Sequence, residues 1–329
     1  MKKARLDKPE NIRHNPPPHS PVRRAHMWFK SLRVYQLLKP FTLSEEELQI
    51  QLAEREFRSC GSMEPATLGW TSPLGRRSDR LAHEVNASIM LCLRQEEKVL
   101  PASVVREMVE EKTVLIEEAE ARQVSRREKG EIRDEIIQDL MPRAFTKSAR
   151  IYAMIDRTSG WILLDAASAN KAEALLGLLR ETLGTLPVRP LDVAVAPPAV
   201  MTEWVRRPEQ YGDFVLQDSC ELQDASDEKA IVRCKGLDLE TQEVLNHLDA
   251  GKQVVKLAVE WNERLSCMIE SDLALKRIKF LDIIQEEAAD SVAEDDIARF
   301  DVDFSLMALE FRRFLPRLLE LFGGVQDEN

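Results

Sequence analysis

The stretch from Pro101 to Phe145 constrains the fold more than any other, because between Pro101 and Pro142 it holds no proline and one glycine, Gly130. Such a run predicts two successive helices. Pro101 suits the opening of the first, where a missing N–H costs nothing. Val105, Met108, Val109, Leu115 and Ile116 recur at a broken helical spacing, and Ile132, Ile136, Ile137 and Leu140 at a cleaner one. Each helix therefore has an apolar side that something must cover. Glu107, Glu110, Glu111, Glu117, Glu118 and Glu120 crowd the first part, and Arg122, Arg126, Arg127 and Lys129 the middle, with Arg143 and Lys147 beyond. Two readings fit: a solvated helical hairpin charged as the helix dipole favours, or a basic face offered to a polyanion.

With 329 residues, the chain has room for two or three domains or for one elongated subunit with several small cores. Hydrophobic content of 44% beside 31% charged residues is ordinary for a globular protein. No run approaches the length of a membrane span, and the first residues are basic without an apolar segment, so the expected location is the cytoplasm. Cys60, Cys92, Cys220, Cys234 and Cys267 are scattered, and the histidines lack zinc-site spacing. Free thiols are expected, with no metal, cofactor or disulfide. The net charge of −11 argues against nucleic acid only if charge is evenly spread. It is not: residues 1–26 hold seven Lys/Arg against two Asp/Glu, and residues 281–329 four against thirteen.

Taken in order, residues 1–26 read as a disordered, basic, proline-rich extension. Trp28–Leu38 reads as a strand. Ser44 and Glu47 form a capping box opening a helix with Leu48, Leu52 and Phe57 on one side. A turn-rich stretch follows, in which Arg76, Arg77 and Arg80 are a surface cluster or phosphate contacts, and then a strand centred on Ala87–Leu93. After Phe145, two strands meet at a turn over Arg157–Gly160, and a helix striped by Ala172, Leu175, Leu176 and Leu179 ends at Gly184. A short strand and a short helix around Trp204 lead to a strand pair, a helix from Thr241 to Leu248 and two or three more strands. Lys252, Lys256, Lys276, Arg277 and Lys279 lie there with few acids between, which predicts a basic sheet face. From Asp282 the chain turns helical, with an acidic exterior over Ile297, Phe300, Phe304 and Leu306. The fold class is α+β, with antiparallel sheets, in parts of about 27–100, 101–147, 148–280 and 281–324 and a tail at 325–329.

No phosphate-cradling GxxxxGK[ST], dinucleotide-binding GxGxxG or GxSxG elbow occurs, which favours a binding protein over an enzyme. The acidic C-terminal segment leaves an Mg²⁺-dependent nuclease as one alternative, and a protein-interaction scaffold without a DNA role as another.

Several blocks resemble the bacterial recombination-associated RdgC family: MWFKSLRVYQL, CGSMEPATLGWTSPLG, EEKVLPASVVREMV, DLMPRAF, the run LLDAASANKAEALLGLLRETLGTLPVRPL, MTEWVRR, AGKQVVKLAVEW, LKRIKF and RFDVDFSLM. They span roughly 27–324 in order. The resemblance implies an elongated, multi-lobed subunit assembling as a ring-shaped homodimer whose basic hole encloses double-stranded DNA, with single-stranded DNA a second candidate. It further implies restraint of RecA-promoted strand exchange, a place in the nucleoid, and no catalytic residue. Carried over by position, the DNA-contacting residues are Arg122, Arg143, Lys252 and Lys256, with Lys235 beside them, and Phe145 is the dimer contact, against a plain core role for that ring.

Overall fold

β1 (Ser31–Leu37) is the strand on which the molecule turns, and a computed structural model describes what surrounds it for residues 28–326, apart from 228 and 292. The extension expected at 1–26 and the tail beyond 326 lie outside the described residues. The remaining elements are α1 (Glu45–Ala53), β2 (Ala66–Thr71), β3 (Ala82–Val85), β4 (Ser88–Val99), α2 (Ala102–Glu120), α3 (Arg126–Leu140), β5 (Phe145–Asp156), β6 (Trp161–Leu164), α4 (Ala169–Leu183), β7 (Val188–Pro190), α5 (Pro197–Arg206), β8 (Phe214–Asp224), β9 (Ile231–Lys235), α6 (Gln242–Asp249), β10 (Lys252–Trp261), β11 (Leu265–Glu270), β12 (Leu275–Phe280), α7 (Asp282–Asp290) and α8 (Asp296–Leu321). The fold is mixed α and β around one large antiparallel sheet.

The sheet runs β2-β4-β5-β6-β1-β12-β11-β10-β8-β9, with β3 paired to β4 and β7 to β1. β1 meets β6 along Arg33–Gln36 on one side, and on the other meets first β12 at Ser31 and Leu32, then β7 at Tyr35–Leu37. Asp165 fixes that junction by accepting the amides of Ser31 at 2.9 Å and Lys30 at 3.2 Å. Burial pushes its carboxyl above the usual range, against the pull of those two bonds.

Both faces are buried in the first half of β4, the second half of β5 and most of β6, and their sequences read accordingly. Ser88–Leu93 is buried without a break, as strands covered on two sides require. On the outer face, Ile89, Leu91, Leu93, Ile151, Ala153, Ile155, Ile162 and Leu164 pack beneath Leu48 and Leu52 of α1 and Ala172, Leu175, Leu176 and Leu179 of α4. The capping box at Ser44 forms, as its spacing predicts, and such a cap is worth about 1 kcal/mol. Gly184 takes φ +73 to end α4. Phe57 departs from the expectation: α1 stops at Ala53, and Phe57 crosses Gly69 so closely that a Cβ there would sit 2.5 Å from its Cα.

The inner face is spanned by α8. Its Phe304, Met307, Phe311 and Phe314 join one cluster with Phe29, Met90, Met154 and Leu163 from one half of the sheet and Phe214, Leu257, Trp261 and Phe280 from the other. Each buried aromatic or aliphatic side chain there contributes about 1.5–3 kcal/mol. The acidic exterior expected for this helix holds only in part, because Asp303 and Glu310 are buried. Arg264 meets Glu310 at 2.9 Å, and Arg312 meets Asp156 of β5 at 2.8 and 2.9 Å. Ion pairs thus tie α8 to both halves, with Arg317 on Asp213 adding a second to the β8 side.

α2 and α3 stand apart from both clusters. Val105, Val124, Ile132 and Ile136 make a small core of their own, while Val104, Met108 and Leu115 remain exposed.

Candidate nucleic-acid interface

Arg143 ends a short 3-10 turn over Met141–Arg143, and Phe145 is the first residue of β5, where it faces Val99 of β4. The Phe145 ring is 87% exposed, which rules out a core role in this chain. Arg143 and Lys147 flank it, both exposed and with no ion pair among the described residues. Lys147 is basic in the sequence but outside the expected site; β5 begins at Phe145, which places Lys147 two residues along the same strand.

Arg122 lies in the link between α2 and α3, where carboxylates hold it. Its Nε is 2.6 Å from Glu120, and both Nη atoms are 2.7 Å from Glu128. The Glu128 and Glu120 carboxylates raise the already high pKa of the guanidinium, and Arg122 in turn lowers that of Glu128. A phosphate would have to displace two carboxylates to reach it.

Lys252 and Lys256 are four residues apart, a spacing that puts both on one face of a regular strand. A register shift between Val254 and Lys256 inserts an extra residue and reverses the parity. Lys252 opposite Asp224 shares the inner face with buried Val254 and Leu222, and Lys256 opposite Glu221 is on the outer face. The Lys252 ammonium is 3.4 Å from Asp224. Asp224 itself is drawn down to about 2, first by hydrogen bonds from Ser226 and then by Lys252.

The outer face of β9, β8, β10, β11 and β12 carries a row that alternates in sign. Arg233 meets Glu221 at 2.8 Å, Glu221 meets Lys256 at 3.1 Å, Lys256 lies 3.8 Å from Glu270, and Glu270 meets Lys276 at 2.6 Å. Burial pushes the Glu221 carboxyl up, but the bonds from Arg233 and Lys256 outweigh it and leave it below the usual range. The expectation of few acids among these lysines is therefore corrected, since their acids come from neighbouring strands rather than from neighbouring sequence. Depth nevertheless favours the cations. Glu221 and Glu270 are sunk to 14% exposure, whereas Arg233 is 72% exposed. Lys235 opposite Ser219 and Lys279 opposite Ser266 share this face, exposed and with no ion pair among the described residues. In all, Arg233, Lys235, Lys256, Lys276 and Lys279 outnumber Glu221, Glu260 and Glu270. Arg277 sits at the irregularity in β12 with φ 53, in the left-handed region that non-glycine residues seldom occupy.

The charges form two groups rather than one. β5, with Phe145 and Lys147, is five strand steps from β10, a separation of about 24 Å across the sheet. Lys276 and Lys279 share a face with Lys256, as the sequence predicts, and register adds Arg233 and Lys235 to them. The i, i+2 spacing of Arg233 and Lys235 was the one signal in the sequence that could have paired them.

Elsewhere, Arg77 pairs with Asp296, and Arg80 lies 3.6 Å from both Glu45 and Glu46, so these members of the turn-rich cluster tie surface elements together. Among the described residues no group of three or more His, Cys, Asp or Glu side chains is placed to hold a metal ion, and no helix is long and apolar enough to cross a membrane. All five cysteines are free thiols in this structure.

A family model described as "Putative exonuclease, RdgC" matches residues 27–325. A relative from Pseudomonas aeruginosa named "Recombination-associated protein RdgC" is 44% identical over 299 residues, covering 91% of this chain and 98% of its own. Relatives of the same name from Aeromonas hydrophila and Tolumonas auensis are 41% and 40% identical, covering 91% and 92% of this chain and 98% and 100% of theirs. A match across nearly the whole described chain, in both directions, means that this chain belongs to the RdgC family.

Proposed function

We propose that this chain binds double-stranded DNA without sequence preference, as a homodimer that closes into a ring around the duplex, and that it restrains RecA-promoted strand exchange at the nucleoid without being an enzyme. One observation carries the DNA-binding part: on the open sheet face the carboxylates are sunk and the cations protrude. A rod of phosphates meets the protruding charges first. The dimer rests on Phe145, an exposed aromatic between two uncommitted cations, which has the character of an interface anchor. The role in recombination rests on the names of the relatives.

Phosphate contacts position a protein without reading bases. Lys235, Lys279, Arg143 and Lys147 are uncommitted in each subunit, so a dimer engaging all of them would show a slope of roughly −7 for log affinity against log salt. Anisotropy titrations of two unrelated duplexes across a salt series are expected to give the same steep slope for both. The pair Arg143→Glu and Lys147→Glu is expected to flatten it. Sequence-dependent affinity, or a slope near zero, would overturn the reading. Light scattering is expected to give a dimer for the native chain and a monomer for Phe145→Ser; a native monomer would remove the ring. Incubation of linear duplex with Mg²⁺ distinguishes the nuclease named by the family description, since encirclement leaves the ends intact.

A further inference from the structure

β8 and β9 bring two cysteines face to face. Cys220 and Cys234 are direct partners in the antiparallel register, and both are free thiols on the inner side of the sheet edge. Directly opposed residues hold their Cα atoms about 4.5–5.5 Å apart, within the span of about 4.4–6.8 Å that a disulfide bridges. No other pair among the five cysteines shares a register position: Cys92 faces Thr71 and Tyr152, and Cys267 faces Val259. We propose that Cys220 and Cys234 form a peroxide-sensitive dithiol that closes to a disulfide and fastens the edge strand β9 to β8.

Exposure assigns the roles. Cys234 is half-buried and Cys220 buried. Burial, and then the adjacent Cys234 sulfur, push the Cys220 thiol up to about 12, which makes Cys234 the first nucleophile. The Cys234 thiolate attacks one oxygen of hydrogen peroxide, the O–O bond breaks, and the departing hydroxide takes up a proton as water, leaving a sulfenic acid. The Cys220 sulfur then attacks that sulfur, the S–O bond breaks, and the hydroxide leaves with the Cys220 proton as a second water. Two thiols and one peroxide become one disulfide and two waters, and two electrons pass from sulfur to oxygen. Opposed Cβ atoms lie about 4.5–5.5 Å apart, wider than the disulfide mean of about 3.8 Å. Closing therefore draws the two strands together, and thiol exchange with a reductant reopens the bond. It behaves as a reversible latch on the strand that carries Arg233 and Lys235.

The test treats the full reduced chain with hydrogen peroxide, quenches with an alkylating reagent and maps peptides by mass. The expected product is lighter by two hydrogens, carries a Cys220–Cys234 crosslink within one chain, reverts with dithiothreitol, and shows slower amide exchange over 231–235. Cys234→Ser is expected to lose the crosslink while retaining the native exchange pattern elsewhere, and Cys220→Ala serves the same comparison should the first variant fold poorly. Sulfinic acid at Cys234 with Cys220 still alkylatable, or crosslinks only between chains through Cys60, would overturn the proposal. These readouts do not depend on whether the chain binds DNA.

Discussion

The two halves of the sheet share an inner face and differ in the outer one. In β4, β5 and β6 the outer face lies beneath α1 and α4, and its residues are aliphatic. In β8–β12 the same side carries a row of alternating charges. The physical requirement differs accordingly. A covered face gains from apolar area removed from water, whereas an uncovered one must stay hydrated and must discourage pairing with other sheets, and charges serve both ends. The charged half is thus free to contact a polyanion, while the apolar half serves as the frame that holds it.

Five variants would sharpen or break that comparison, taken from the largest expected effect. α8 is tied to the frame half by Arg312 on Asp156, whose carboxyl is 2% exposed. Asp156→Ala leaves the guanidinium without its partner and is expected to cost about 3–5 kcal/mol in denaturant unfolding. Burial raises the Asp156 carboxyl, but the Arg312 bonds outweigh it, and the net folded value is depressed. Its stabilisation is therefore complete above the ordinary carboxylate range and fades as pH falls through the depressed folded value. The gap between the native chain and Asp156→Ala should narrow on acidification; a constant gap would mean that the pair does not titrate with folding.

Leu175→Ala, beneath the covered outer face, is expected to cost about 2–5 kcal/mol. Ile231→Ala on the open face is expected to stay within about 1 kcal/mol. Equal costs would show that something covers the open face in solution. The double change Glu221→Gln and Glu270→Gln leaves the lysines and arginine of the row without their acids. Stability is expected to move by about 1 kcal/mol or less, as for other surface pairs, while duplex affinity at low salt rises and its salt slope steepens. An unchanged slope would separate the row from the DNA surface.

The smallest effect belongs to the junction between the halves. Asp165→Asn keeps an oxygen acceptor for the amides of Lys30 and Ser31 and removes a charge whose burial raises its carboxyl. A raised folded value means that the group favours folding below the ordinary carboxylate range and loses that contribution as pH rises through the folded value. The variant is expected to gain at neutral pH by about 1 kcal/mol or less, with the gain vanishing in acid.

Much of this frame could be read directly from the residues. The capping box at Ser44, the α4 stripe with its Gly184 cap, and the two helices after Pro101 follow from local chemistry, because each involves residues within a turn or two of one another. Phe145 was singled out as a contact, but its exposure could not be read, since an aromatic after a turn suits a core equally well. The basic face was legible in Lys256, Lys276 and Lys279, which do share it, but its full membership was not. Lys252 and Lys256 look like neighbours on one face until a single inserted residue reverses the alternation.

Local periodicity and end signals, acting over distances the chain cannot alter, determined from sequence alone that this is an α+β protein and where most of its helices and strands lie. Register belongs to the tertiary structure. It chose which acids stand against which bases, put Cys220 opposite Cys234, and separated two lysines by a face, because pairing between strands distant in sequence depends on how the two faces of the whole sheet are buried.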